Sequence, residues 1–176
     1  DEYTTNKGLF AANERGLKET FYLFIERPAD FIKLQLVKTS IYFSAARPAA
    51  FWFHLKGTSR LLTIVFSSLF AFILLSIGLA GLYFYLRKND FISRMLLFFA
   101  LSAPAGIIWI VAETRYRYQF YPILIILSTL FIIEFLKNPK ALRKILIISA
   151  AIISSNTLFD IASNLPRVFD KIQKIF

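Results

Sequence analysis

From Leu61 to Leu86 no side chain carries a charge, and the run is closed by Arg60 on one side and by Arg87-Lys88 on the other. A hydrocarbon core about 30 Å thick takes roughly 20 consecutive apolar residues as a helix, so this run suits a tilted transmembrane helix. No other feature narrows the possible folds as much. The remainder of the chain leaves little prospect of burying the run in a water-soluble core. Of 176 residues 57% are hydrophobic and 20 are phenylalanine, more apolar surface than a water-exposed protein tolerates. The chain reads as an integral membrane protein.

Further apolar runs follow. Met95 to Ala112 is uncharged but interrupted by Pro104 and Gly106, and proline removes a backbone donor, so a kink is expected near Ala100 to Pro104. Tyr118 to Ile133 is a third run, extended to Leu136 if Glu134 lies at headgroup level and pairs with Lys137. Ile145 to Phe159 is a fourth, diluted by Ser149, Ser154, Ser155, Asn156 and Thr157 and closed by Asp160, which reads as an interfacial cap. Gly78 and Gly81, near Ser76, would let another backbone approach the first run closely, with ordinary tolerated helix glycines as the alternative. The expected fold is an all-α polytopic membrane protein with about four transmembrane helices, at about 60–86, 92–112, 118–136 and 142–162, within a helical region spanning 59–162.

Residues 1–58 carry charges and aromatics without a spanning run. Asn13 suits the N-cap of a helix bearing Leu17, Phe21, Phe24 and Ile25, and Pro28 ends it and opens the next. That second helix, about Ala29 to Phe43, repeats Phe31, Leu34, Val37 and Ile41 at helical spacing, with Lys33 and Lys38 placed to snorkel. Both read as amphipathic interfacial helices, with packing on a soluble domain as the alternative. Phe51-Trp52-Phe53-His54 forms an aromatic lead-in to the first span. Residues 163–176 read as an interfacial tail, with Val168, Phe169, Ile172 and Ile175 apolar.

The net charge of +10 sits mainly at the ends of apolar runs and not along one polar face, which argues against nucleic acid and for anionic membrane lipids as partners. Excess Lys and Arg in short loops mark the cytoplasmic side. Arg87, Lys88 and Arg94 join the first two spans, and Lys137, Lys140, Arg143 and Lys144 join the last two. A multi-pass protein of the cytoplasmic (inner) membrane results, with residues 1–58 and 113–119 outside.

Glu113-Thr114-Arg115-Tyr116-Arg117-Tyr118-Gln119-Phe120-Tyr121-Pro122 falls in that outer loop, where Arg115 and Arg117 oppose the topological bias. A guanidinium fork matches phosphate oxygens bidentately, and a headgroup-level site strengthens the pairing. A phosphate on a lipid carrier would suit Arg115 and Arg117. Tyr116, Tyr118 and Tyr121 could stack on a sugar or hold an isoprenoid neck, and Glu113 could orient an arginine. The competing reading is an aromatic belt with snorkelling arginines.

Other chemistries find little footing. The chain has no cysteine, and its single histidine, His54, reads as structural with proton transfer as the alternative. Glu19, Glu26 and Asp30 read as solvated helix charges or as partners of neighbouring lysines. No metal-ligand spacing, phosphate-cradling glycine loop or nucleophile with its base is found, so no metal and no bound cofactor is expected. With Asp1-Glu2-Tyr3 at its start, Met95 as its only methionine and no secretory signal, the chain reads as the remainder of something longer.

The order of Asn13-Glu14-Arg15-Gly16-Leu17 through Arg27-Pro28-Ala29-Asp30-Phe31, then Phe51-Trp52-Phe53, then helices with Glu113-Thr114-Arg115-Tyr116-Arg117 and Pro122, resembles the C-terminal half of the polytopic C-type glycosyltransferases. The nearest group is the bacterial protein-mannosyltransferase-like and aminoarabinose-transferase-like enzymes. The resemblance implies a polyprenyl-phosphate-linked sugar as donor substrate, transfer at the outer face of the membrane, and a lipid-phosphate role for Arg115 and Arg117. It also implies upstream membrane helices of a longer parent chain as partners. The family's catalytic acid belongs to its first extracytoplasmic loop, for which this sequence has no counterpart, so no catalytic residue is carried over and the chain alone is expected to be inactive. A noncatalytic membrane scaffold of the cell envelope is the alternative from another class.

Overall fold

The computed structural model describes residues 18, 21–22, 24–46, 57–88, 90–110 and 119–165, with the backbone alone at 103 and 107–110. Among them the regular structure is helical throughout, with no strand: α1 (Pro28–Phe43), α2 (Gly57–Leu86), α3 (Phe91–Ile110), α4 (Tyr121–Lys137) and α5 (Pro139–Ser163). Residues 18, 21–22 and 24–26 are helical as well. The chain divides into two compact units, 1–38 and 39–176, with the division inside α1.

In the first unit, Pro28 breaks the chain as expected: Arg27 leaves the helix, its carbonyl accepts from Phe31 N–H at 3.0 Å, and α1 starts at the proline. The Phe24 and Phe31 rings meet edge to face at 5.2 Å, and Phe31 is buried. Tyr22 donates to Glu26, and that bond, with a smaller effect of burial, raises the phenol above its ordinary range. The expected apolar stripe of α1 is not clean. At 100° per residue Ile32 and Leu36 project away from Phe31, Leu34 and Val37, and both are exposed, so apolar surface wraps around the helix.

In the second unit α2 is the hub, packing most extensively on α4, then on α5, and less on α3. The two glycines of α2 explain the α2–α4 seam. A Cβ on Gly78 would meet Leu124 Cδ2 at 2.5 Å, and one on Gly81 would meet the Leu127 carbonyl oxygen at the same distance. Only a bare backbone permits that approach, which favours close helix contact over merely tolerated glycines. One turn on, Phe84 meets Phe131 at 6.2 Å, so α2 and α4 run in the same direction. Their packing continues into a cluster of Ala80, Phe131 and Leu142, the last from the start of α5.

Helix ends follow local chemistry. Past the end of α2, Arg87 N–H and Lys88 N–H close back on the Phe84 and Tyr85 carbonyls at 3.3 and 3.0 Å, and their cations suit the negative end of the helix dipole. Arg87 lies over the Tyr83 ring and donates to its hydroxyl. Asp90 opens α3: contact with the Ser93 side chain first, then backbone hydrogen bonds, lowers its carboxyl pKa against a smaller opposing effect of burial. The helix continues through Pro104. Pro122 sits in the first turn of α4, with Phe120 at the N-cap position, so this helix begins at Tyr121 and not at 118. Asn138 alone separates α4 from α5, where Pro139 restarts the helix; Lys137 pairs with Glu134 at 3.1 Å as expected.

Among the described residues two helices, α2 and α5, are long and apolar enough to cross a membrane. The segment read from sequence as the most diluted is therefore one of the two, because the helix extends from Pro139 to Ser163. At 17 residues α4 reaches only about 26 Å. Among the described residues, 28% and 17% of the most apolar stretches of α2 and α5 are buried. Residues 111–112, expected at the end of the second span, and the tail 166–176 lie outside the described residues.

Candidate functional site

The end of the second unit where α4 begins is built from aromatic rings and two polar side chains. Phe120 and Tyr42 are both almost fully buried. The Phe120 ring lies 6.4 Å from Tyr42 and 6.2 Å from Phe43, and these two rings of α1 meet edge to face at 5.1 Å. The last carbonyls of a helix need partners. Here Asn156 Nδ2 of α5 donates to the Ser40 carbonyl at 3.0 Å, and just beyond α1 the Ala45 N–H donates to Thr157 Oγ1 at 3.1 Å. The last turn of α1 is thereby fixed to α5 by groups on two adjacent residues.

Below this clamp lies a cleft of ≈ 480 Å³. Thr39 and Phe43 contribute from α1, Leu75, Leu79 and Leu82 from α2, Leu101 and Pro104 from α3, Phe120 and Leu124 at the start of α4, and Ile152 and Asn156 from α5. Gly78 also lines it, and its missing side chain leaves the space that Leu124 fills on the α4 side. Pro104 offers no donor to the Ala100 carbonyl one turn back, and both residues border the cleft. Among the described residues no charged side chain lines it. Its chemistry suits an aliphatic chain, with Thr39 and Asn156 as the polar points.

The polar residues that dilute α5 are not scattered. Ser149, Ile153, Asn156 and Asp160 recur at three and four residues, hence on one side of the helix, and Ser149, Ile153 and Asp160 are buried. Asp160 is only 4% exposed, with Asn164 Nδ2 donating to its carbonyl at 3.0 Å and to its carboxylate Oδ1 at 3.1 Å. It is thus an inward-facing group in the last turn of α5, where an interfacial cap was expected. The helical spacing of polar residues inside an apolar run was the available signal.

Of the residues singled out for lipid phosphate, Tyr121 is described: it is half-buried in the first turn of α4 and packs against the cluster containing Tyr42, Phe120 and Leu124. Glu113, Arg115, Tyr116, Arg117 and Tyr118 lie outside the described residues, as do His54, Asn13 and Glu19. Glu26 and Asp30 are exposed. A second hollow, ≈ 580 Å³, runs along an exposed face of the first unit past Lys18, Phe21, Tyr22, Ile25 and Glu26. Among the described residues no group of His, Asp or Glu is arranged to hold a metal.

No family model, curated protein or solved structure matches the chain.

Proposed function

We propose that this chain is a four-span membrane bundle, with the Phe120 end at the outer face of the cytoplasmic membrane, that binds a polyprenyl-phosphate-linked sugar donor. In this reading it is the C-terminal membrane portion of a glycosyltransferase. The observation that carries the proposal is continuity: Phe120 lines an uncharged apolar cleft, and the segment leading into it contains Arg115 and Arg117. A carrier lipid has the same two parts, an aliphatic chain and a phosphate. The exposed apolar side chains of α2, such as Leu62, Val65, Phe66 and Phe70, support contact with lipid or with further membrane helices.

The chemistry asked of this chain is to hold the leaving group. As the glycosidic phosphate bond breaks, negative charge grows on the polyprenyl phosphate, and two guanidinium groups would offset it in a poorly screened setting. Deprotonation of the acceptor would fall to a carboxylate outside this chain. Photocrosslinking with a diazirine-bearing isoprenoid phosphate tests the cleft. Labelling of α2 and α3 around Leu79 and Leu101, competed by unlabelled polyprenyl phosphate, is expected; uniform labelling of the lipid-facing surface would contradict the assignment.

A noncatalytic scaffold is the second reading, favoured by the exposed Phe21, Tyr22 and Ile25 of the first unit, which offer an apolar face to another protein. Saturable competition by the carrier lipid separates the two readings, since a scaffold has no reason to discriminate lipids by their phosphate.

A further inference from the structure

The opposite end of the second unit, where α2 ends and α4 turns into α5 at Asn138, gathers cations from two helices. Lys88 Nζ lies 4.8 Å from the centre of the Phe84 ring and 5.0 Å from that of Tyr85. Phe84 in turn packs with Phe131 against the cluster that contains Leu142. Lys88 thus lies at the same end of the bundle as the opening turns of α5, where Lys140, Arg143 and Lys144 are all exposed. Leu142 is buried and points inward, which at helical spacing turns Lys140 and Lys144 away from the bundle.

The carboxylates at this end are engaged nearby. Glu134 binds Lys137 at 3.1 Å, and Asp90, whose carboxyl pKa Ser93 lowers, has Lys88 as a further, weaker neighbour. Among the described residues no carboxylate pairs with Lys140, Arg143 or Lys144. At this end Lys88 lies against the Phe84 and Tyr85 rings, and Lys140, Arg143 and Lys144 add exposed positive charge. A cation over an aromatic face at a bilayer boundary keeps its apolar stem in hydrocarbon and its charge among headgroups.

We propose that this positive end, formed by Lys88 of α2 with Lys140, Arg143 and Lys144 of α5, is a binding surface for anionic phospholipid headgroups. The inference rests on the membrane reading above but not on the sugar donor. Cations that merely set topology would act during insertion and would discriminate little between lipids afterwards. A binding surface discriminates in the folded protein, by about fivefold for each cation near the headgroups.

The test is a lipid titration of the full chain in a neutral detergent, read by its thermal midpoint. Phosphatidylglycerol should raise the midpoint at lower concentration than phosphatidylcholine, and the K88Q/K140Q/R143Q/K144Q variant should need more than tenfold more phosphatidylglycerol. The Arg60→Gln variant, near the other end of α2, should titrate as the unaltered chain does; a loss confined to that variant would move the effect to the other end and overturn the proposal. Excess inorganic phosphate should displace the lipid only weakly, and full displacement would assign the surface to free phosphate instead. Equal titration by the two lipids overturns the proposal. So does a phosphatidylglycerol titration of the unaltered chain that does not weaken with added salt, which decides the matter even if the fourfold variant fails to fold.

Discussion

A Cβ placed on Gly81 would stand 2.5 Å from the carbonyl oxygen of Leu127. Backbone cannot swing aside as a side chain can, so Gly81→Ala should force α2 and α4 apart and cost about 1–3 kcal/mol. At Gly78 the obstacle is the Leu124 side-chain tip, which can change rotamer, and Gly78→Ala should cost less. Equilibrium unfolding in mixed micelles measures both. Equal costs at the two positions would mean that the seam is looser than the spacing of these helices implies.

Asn156 and Thr157 should hold the last turn of α1 against α5. Thr157→Val removes the acceptor for the Ala45 N–H, and hydrogen exchange at that amide should accelerate while the α2–α4 seam stays protected. Asn156→Leu should cost about 0.6–2 kcal/mol, the range for hydrogen bonds between membrane helices. It should also weaken retention of an isoprenoid ligand, because Asn156 lines the same cleft.

Asp90 predicts a response to acid. Its folded carboxyl pKa lies below the ordinary value of 3.8, so its contribution to α3 is complete above that value and is lost as pH falls through the lower folded value. Asp90→Asn should therefore flatten the decline of the thermal midpoint in acid relative to the unaltered chain. Because Asp90 is exposed, the difference should be small and should shrink with salt.

Much of the helical layout was legible in sequence, since charge ends apolar runs and proline starts helices whatever surrounds them. Arg87-Lys88 closes α2, Pro28 stands at the start of α1 and Lys137 pairs with Glu134, whereas α2 starts at Gly57, a turn before Arg60, and α5 starts at Pro139, ahead of the expected 142. The roles of Asn156 and Asp160 were not read, because a run diluted by polar residues looks merely weak until their spacing is traced onto one side of the helix. Their partners, Ser40 and Asn164, also make the point that contacts depend on distance along the chain: the first is far away and unreadable from local pattern, the second is one turn on. Phe120 was read only as part of an aromatic block, and its place at both the N-cap of α4 and the wall of a cleft depends on where Pro122 starts the helix.

The phosphate role of the arginines is decided by direct binding. Polyprenyl phosphate and the corresponding uncharged polyprenol, titrated into the purified chain in neutral detergent, should differ by more than tenfold in apparent affinity in favour of the phosphate. Arg115→Glu and Arg117→Glu should each abolish most of that difference while leaving polyprenol binding intact, since the cleft itself carries no charge. Unchanged preference for the phosphate in both charge-reversed variants would contradict a lipid-phosphate site in this block and leave its arginines as interfacial anchors.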